Sequence, residues 1–271
     1  MPASTSPEAT RRRAPVLLVV PAVLGLAFLL LPLVALVLRA PWSTLPAEVA
    51  KPEVLDALRL SLVTAACATV LCVVLGVPLA WVLARTDFPG RRVVRALVTV
   101  PLVLPPVVGG VALLMLLGRG GLLGSRLDAW FGVSLPFTTA AVVVAQAFVA
   151  LPFLVIAVEG ALRGADRRYE IAAATLGASR LTVFRRVTLP MVAPGVVAGA
   201  VLGFARALGE FGATITFAGS LPGVTATMPI LVYQRLYTRP STAVVLSLLL
   251  LTVSVVVLAS LRERWMRGVV S

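Results

Sequence analysis

Residues Ala165 to Pro190 read ADRRYEIAAATLGASRLTVFRRVTLP, a charged, alanine-rich stretch set between two long hydrophobic runs. Each of Arg167, Arg168, Arg180, Arg185 and Arg186 would cost about 2.5–3.5 kcal/mol at the centre of a bilayer, so the stretch is not expected to be a span. Its composition is nevertheless not that of a loose linker. Ala172, Ala173 and Ala174 favour a helix that Asp166 is placed to cap, and Gly177 suits a left-handed stop. Ser179 can cap a second short helix with Leu181, Phe184 and Val187 on one face. Two short helices around a glycine corner make a knob that another protein can grip.

The flanking chain supplies the context. Hydrophobic residues make up 59% of the 271, charged residues 13%, and the mean hydropathy is +1.03, well outside the range of a soluble domain. The expected class is an all-α integral membrane protein. The net charge of +13 would suggest nucleic acid in a soluble chain; here it marks membrane sides, and no nucleic-acid partner is expected. Histidine is absent, which removes the usual general base and the commonest metal ligand, so neither a catalytic residue nor a metal site is expected. Cys67 and Cys72 share no helical face and read as packing residues without a disulfide.

Six apolar runs follow in order. The first, about Pro15 to Leu38, comes after Arg11, Arg12 and Arg13; a signal peptide has the same order, but this run is closer to the ~20 residues that span a bilayer, and a retained span is expected. An exposed segment with Pro46, Lys51, Pro52 and Asp56 leads to the second, about Leu58 to Leu83, and ARTDFPGRRVVR turns the chain at Pro89 and Gly90. The third, about Val94 to Leu117, holds Pro101, Pro105, Pro106, Gly109 and Gly110. Such breakers are tolerated at membrane depth where backbone faces protein or a water-filled cavity, so this run either lines a pathway or is a kinked packing helix. The connector GRGGLLGSRLDAWFG precedes the fourth, about Thr138 to Val158. The fifth covers about Val196 to Phe217 and the sixth about Ala243 to Leu261. One transmembrane domain is expected over 14–264, with tails at 1–13 and 265–271 and the charged loop at 165–190.

The arginines orient these spans. Threaded from an inside N-terminus, the inner segments hold Arg11 to Arg13, then Arg85, Arg91, Arg92 and Arg95, then Arg163 and the five loop arginines, and finally Arg262, Arg264 and Arg267. The outer segments hold only Arg39, Lys51, Arg119, Arg126, Arg235 and Arg239. The excess places both termini and the loop in the cytoplasm of a multi-pass protein.

The sole lysine, Lys51, lies on the outer side and outside any glycine run, so the chain has no Walker-type phosphate loop. If nucleotide hydrolysis drives this protein, another polypeptide supplies it. With these residues in view, the loop resembles the EAA loop of the permease subunits of ABC importers. Ala172 and Ala173 match the alanines of that motif, Gly177 its glycine, and Val187, Leu189 and Pro190 its ending. Glu170 stands one residue before the usual glutamate position, which Ile171 occupies; the coupling surface is therefore expected at Ala172, Ala173 and Gly177. The segments ARTDFPGRR, PLVLPPVVGG, LLGRGGLLG and FARALGEFGATITFAGSLPG are similar to the oxyanion branch, molybdate permeases first and sulfate permeases next. The resemblance implies a type I importer fold, a pathway formed with a second copy, and two ABC ATPase subunits that use ATP and Mg. It also implies an external binding protein that delivers the anion at a bacterial plasma or inner membrane. This chain itself is expected to bind no cofactor.

The fifth run carries the most unusual chemistry. Arg206 and Glu210 are four apart, and an ionisable pair inside a span is a functional candidate by default. One reading places them with Phe211, Pro105 and Pro106 at a gate or pathway, with Thr214 and Thr216 beyond; the other has the pair fixing helix packing alone. Gly203, Gly209 and Gly212 are expected to allow close helix approach. Two rival classes remain: a secondary transporter or channel, which gives the loop no purpose, and a membrane enzyme, for which no nucleophile and base stand together. Molybdate, tungstate and sulfate are the candidate cargoes.

Overall fold

The structure is a computed structural model that describes residues 16–269. Its helices are α1 (Val16–Leu38), α2 (Leu45–Val49), α3 (Pro52–Arg85), α4 (Arg91–Val103), α5 (Pro106–Leu117), α6 (Gly124–Phe131) and α7 (Thr139–Gly164). The loop contributes α8 (Arg168–Thr175), α9 (Arg180–Val183) and a π-helical turn (Phe184–Thr188). There follow α10 (Leu189–Leu208), α11 (Gly212–Ala218), α12 (Met228–Thr238) and α13 (Pro240–Val269). Among the described residues, five helices are long and apolar enough to cross a bilayer, and α4 with α5 makes a sixth if that bent pair is one span. The expected all-α architecture of about six spans is therefore present. Arg11, Arg12 and Arg13, and the side chains of Arg262, Arg264 and Arg267, lie outside the described residues.

The centre of the bundle is the trio α3, α7 and α10. Lipid tails are as apolar as leucine, so helices in a bilayer associate by close packing, which small side chains permit. Ala65, Ala68 and Ala80 of α3, Ala147 and Ala150 of α7 and Ala207 of α10 are buried together in this way. A second cluster joins α5, α7 and α11 through Leu113, Val142, Val149 and Phe217. A third joins the start of α3 to α12 and α13 through Val54, Met228 and Leu246. α1 lies apart from all three, with its apolar window 0% buried and a light contact with α13.

Two runs differ from the sequence expectation, the fifth at both ends. The third is two helices bent by 116° at Leu104–Pro105, because a proline pair removes two backbone donors and restricts the residue before it. The fifth does not continue to Phe217: α10 stops at Leu208 and a short α11 follows after Gly209–Phe211. It also starts earlier, since α9, the π-helical turn and α10 form one continuous helical stretch over Arg180–Leu208. The second helix of the loop is thus the stem of the fifth span. The π-helical turn has a local cause in Pro190, which lacks the N–H that an α-helical turn would require at that position. The cysteine reading holds for Cys72, which is buried; Cys67 is exposed, so it is not a packing residue, and both thiols are free.

Candidate functional site

The glycine corner forms as its residues dictate. Asp166 Oδ1 accepts the N–H of Arg168 at 2.9 Å, satisfying one free donor at the start of α8. At the other end Gly177 takes φ +86°, the Ala178 N–H reaches the Ala173 carbonyl at 3.1 Å and the Gly177 N–H reaches that of Ala174 at 3.0 Å. This is a Schellman stop, and a side chain at Gly177 would cost about 1–2 kcal/mol in that left-handed conformation. Ser179 Oγ then accepts the Thr182 N–H at 3.3 Å and starts α9. The resulting knob is apolar on the outside: Tyr169, Ile171 and Leu181 are exposed, and Leu176, next to the corner, is 88% exposed. Ala172 is exposed beside them and Ala173 half-buried. These exposed apolar side chains stand between the loop arginines on one side of the corner. The face expected of α9 is not buried throughout: Leu181 is exposed while Phe184 packs edge-on against Trp81 of α3, ring centroids 5.9 Å apart.

Glu170 turns the other way. Its Oε1 accepts from Arg85 Nε at 3.2 Å, from Arg85 Nη2 at 3.0 Å and from Thr188 Oγ1 at 3.0 Å. Arg85 ends α3 and Thr188 ends the π-helical turn, and both side chains are withdrawn from solvent. Charge-assisted bonds of this kind contribute about 1.5–3 kcal/mol each. Glu170, expected in the coupling loop, therefore ties the knob to the bundle and is turned away from the exposed Tyr169, Ile171 and Leu176. Leu189 is half-buried against the core and Pro190 exposed, both at the root of α10. Neither Arg85 nor Thr188 stood out in the sequence. Arg85 read as a topology marker, and nothing local links it to a glutamate 85 positions away. A cavity of about 400 Å³, lined by Trp81, Arg85, Arg167, Glu170, Phe184 and Thr188, separates α3 from the loop helices.

A second buried carboxylate stands nearby. Glu159 Oε1 on α7 accepts from Arg95 of α4 at 2.6 Å and from Arg163 at 2.6 Å, while Arg95 also donates to the Leu83 carbonyl of α3 at 3.3 Å. The loop end of α3 is thus tied twice, to α8 through Arg85 and to α4 and α7 through Arg95.

The candidate gate residues come together where two helix breaks meet. Arg206 Nη1 and Glu210 Oε2 are 2.6 Å apart, and Glu210, 1% exposed, also accepts the Ala213 N–H on Oε1 at 2.7 Å. The pair does not lie on one unbroken helix: Arg206 is in the last turn of α10 and Glu210 in the gap before α11. Against this gap lies the other break, for a Cβ on Gly212 would stand 2.8 Å from Pro106 Cβ. Of the three glycines expected to permit close approach, only Gly212 does, since Gly203 and Gly209 would meet nothing nearer than 3.7 Å. Pro105 caps α5 beside Pro106. Phe211 is half-buried and packs on Tyr233 of α12 at 5.0 Å, and Tyr233 meets Tyr237 at 5.7 Å. Thr214 is fully buried, and Thr216 returns its hydroxyl to the Gly212 carbonyl at 2.8 Å. Gln146 of α7, fully buried as well, adds a polar group to the interior that the sequence reading passed over.

Comparison with known proteins gives consistent matches over most of the chain. Residues 76–268 match the family described as "Binding-protein-dependent transport system inner membrane component". The chain is 54% identical over 244 residues to the molybdenum transport system permease protein ModB of Mycobacterium tuberculosis, covering 90% of this chain and 92% of that protein. It is 38% identical over 227 residues to the sulfate transport system permease protein CysT of Salmonella typhimurium, covering 82% of each. Among solved structures, a chain of a bacterial alginate ABC transporter, in complex with alginate pentasaccharide-bound periplasmic protein, superposes with a TM-score of 0.75 at 15% identity. That superposition covers 93% of each chain and shows a shared fold.

Proposed function

We propose, from the premise that this chain belongs to the family of binding-protein-dependent transport system inner membrane components, that it is the membrane permease subunit of an ATP-driven molybdate importer. The observation that carries the coupling half of this reading is the rigid apolar knob around Gly177 and Leu176. An energy-independent channel or secondary transporter has no use for an exposed hydrophobic surface held by a Schellman corner and an internal ion pair. Two ABC ATPase subunits, consuming ATP and Mg, would each grip one knob. A second copy of this chain would complete the pathway, and an external binding protein would deliver the anion. In this arrangement the knob and both termini face the cytoplasm of the inner or plasma membrane, a reading that the arginine distribution supports.

The mechanism is alternating access. Closure of the ATPase subunits would draw the knobs together; α9, continuous with α10 through the π-helical turn, would carry that displacement towards Arg206, Glu210 and Phe211. There the paired breaks supply a joint that opens and closes as the two copies rock. Molybdate is favoured over sulfate because likeness to the molybdenum permease exceeds that to the sulfate permease.

The reading is tested by purifying the chain with its neighbouring ATPase and binding protein and measuring uptake into proteoliposomes. ATP-dependent uptake of molybdate, competed by tungstate and not by sulfate, is the expected result. Uptake that continues without the ATPase would overturn it. Leu176→Asp should abolish copurification of the ATPase while leaving the chain inserted.

A further inference from the structure

We propose that Glu170 and Arg85 form a strut that couples the docking knob to α3, so that nucleotide-driven movement enters the bundle by two routes. The inference rests on the coupling role proposed above and assigns Glu170, Arg85 and Thr188 as positioning residues within it. The first route is covalent: α9 runs into α10. By itself it would move the fifth span, and α8, joined to α7 through the extended Ala165 and to α9 through the Gly177 corner, could tilt between the two. The structure removes that freedom, because one carboxylate oxygen of α8 takes two bonds from the last turn of α3 and a third from Thr188 at the root of α10. The bonds are screened from water, with Arg85 6% and Glu170 16% exposed. Their receiving end is anchored too, since the Leu83 carbonyl two residues earlier is held by Arg95, itself bound to Glu159 of α7. A push on α8 therefore reaches α3 and α7 directly.

The experiment uses the full chain with its ATPase and binding protein in proteoliposomes. Glu170→Gln and Arg85→Gln should each lower the anion moved per ATP hydrolysed by about fivefold or more, the lower end of typical coupling between sites, with copurification of the ATPase retained. The double variant should be no worse than either single, because both remove one interaction. Thr188→Val, which leaves both charges in place, should give a smaller loss and serves if a charge variant fails to assemble. A spin label on the exposed Cys67 of α3 provides a second readout independent of cargo: its ATP-driven spectral change should shrink in Glu170→Gln. An unchanged ratio and label response in the single variants, or losses that add in the double, would overturn the strut. If wild type shows the label response and no molybdate uptake, the cargo assignment fails and the strut stands.

Discussion

Arg206 and Glu210 face each other at 2.6 Å across the end of α10, and the same carboxylate caps α11 through the Ala213 N–H. One side chain thus joins two helix ends at the point where the fifth run is interrupted. Removing the arginine strands a buried anion, whereas removing both charges does not. Arg206→Ala is expected to destabilise the protein by about 3 kcal/mol, and Arg206→Ala with Glu210→Gln by less, as read by thermal unfolding in detergent. Both should depress uptake. Normal uptake in Arg206→Ala and Glu210→Ala, with normal assembly, would leave the pair a packing device alone.

The corner at Gly177 separates strain from contact. A Cβ there meets nothing within 4 Å, so Gly177→Ala suffers only the left-handed backbone, about 1 kcal/mol or somewhat more, and should still couple. Gly177→Trp adds bulk to the gripping surface and should hydrolyse ATP without transport. Coupled transport by the tryptophan variant would remove the knob from the mechanism.

Gly110 of α5 has no such latitude. A Cβ on it would lie 2.7 Å from Thr216 Cβ and 2.8 Å from the Ala213 carbonyl, so α5 and α11 touch backbone to side chain. Gly110→Val should cost about 1–3 kcal/mol by forcing these helices apart, and a lowered melting temperature with reduced uptake is the expected outcome.

At the end of the bundle away from the loop, Glu48 ties α2 to α13 by accepting from Lys51 and, at 2.9 Å, from Thr242. The hydrogen bond from Lys51, assisted by that from Thr242, holds its carboxyl below the ordinary value of 4.5 against the opposing effect of burial. A depressed carboxylate contributes stability in full above its unfolded pKa and loses it as pH falls through the folded one. The melting-temperature gap between wild type and Glu48→Gln should therefore be open at neutral pH and close as pH falls through the lowered folded-state value. A gap that widens on acidification would contradict this sign.

The chain's own chemistry made much of this legible. Gly177 announced a left-handed stop and Ser179 a cap because each acts on backbone within a few residues of itself. The apolar runs announced spans because crossing a bilayer is a demand on every residue. What stayed hidden was relational. Pro105 and Pro106 signalled a break, but not a 116° bend, nor that it would lie against Gly212. Glu170 looked like a misplaced docking acid because its partners, Arg85 and Thr188, are brought to it only by the packing of α3 and α10. Gln146, a single polar residue within a hydrophobic run, was lost in the average that identified the run, and Glu159 stands just past the end of that run.

The π-helical turn at Phe184–Thr188 holds one residue more than an α-helix would place there. One residue turns a helix by about 100°, so deleting it would leave the span apolar and the glycine corner intact, yet aim Tyr169, Ile171 and Leu176 at a different quarter of the compass. The orientation of the knob is thus set by a reading frame of helical turns, and two chains with equally good docking motifs can be incompatible with the same partner because their frames differ.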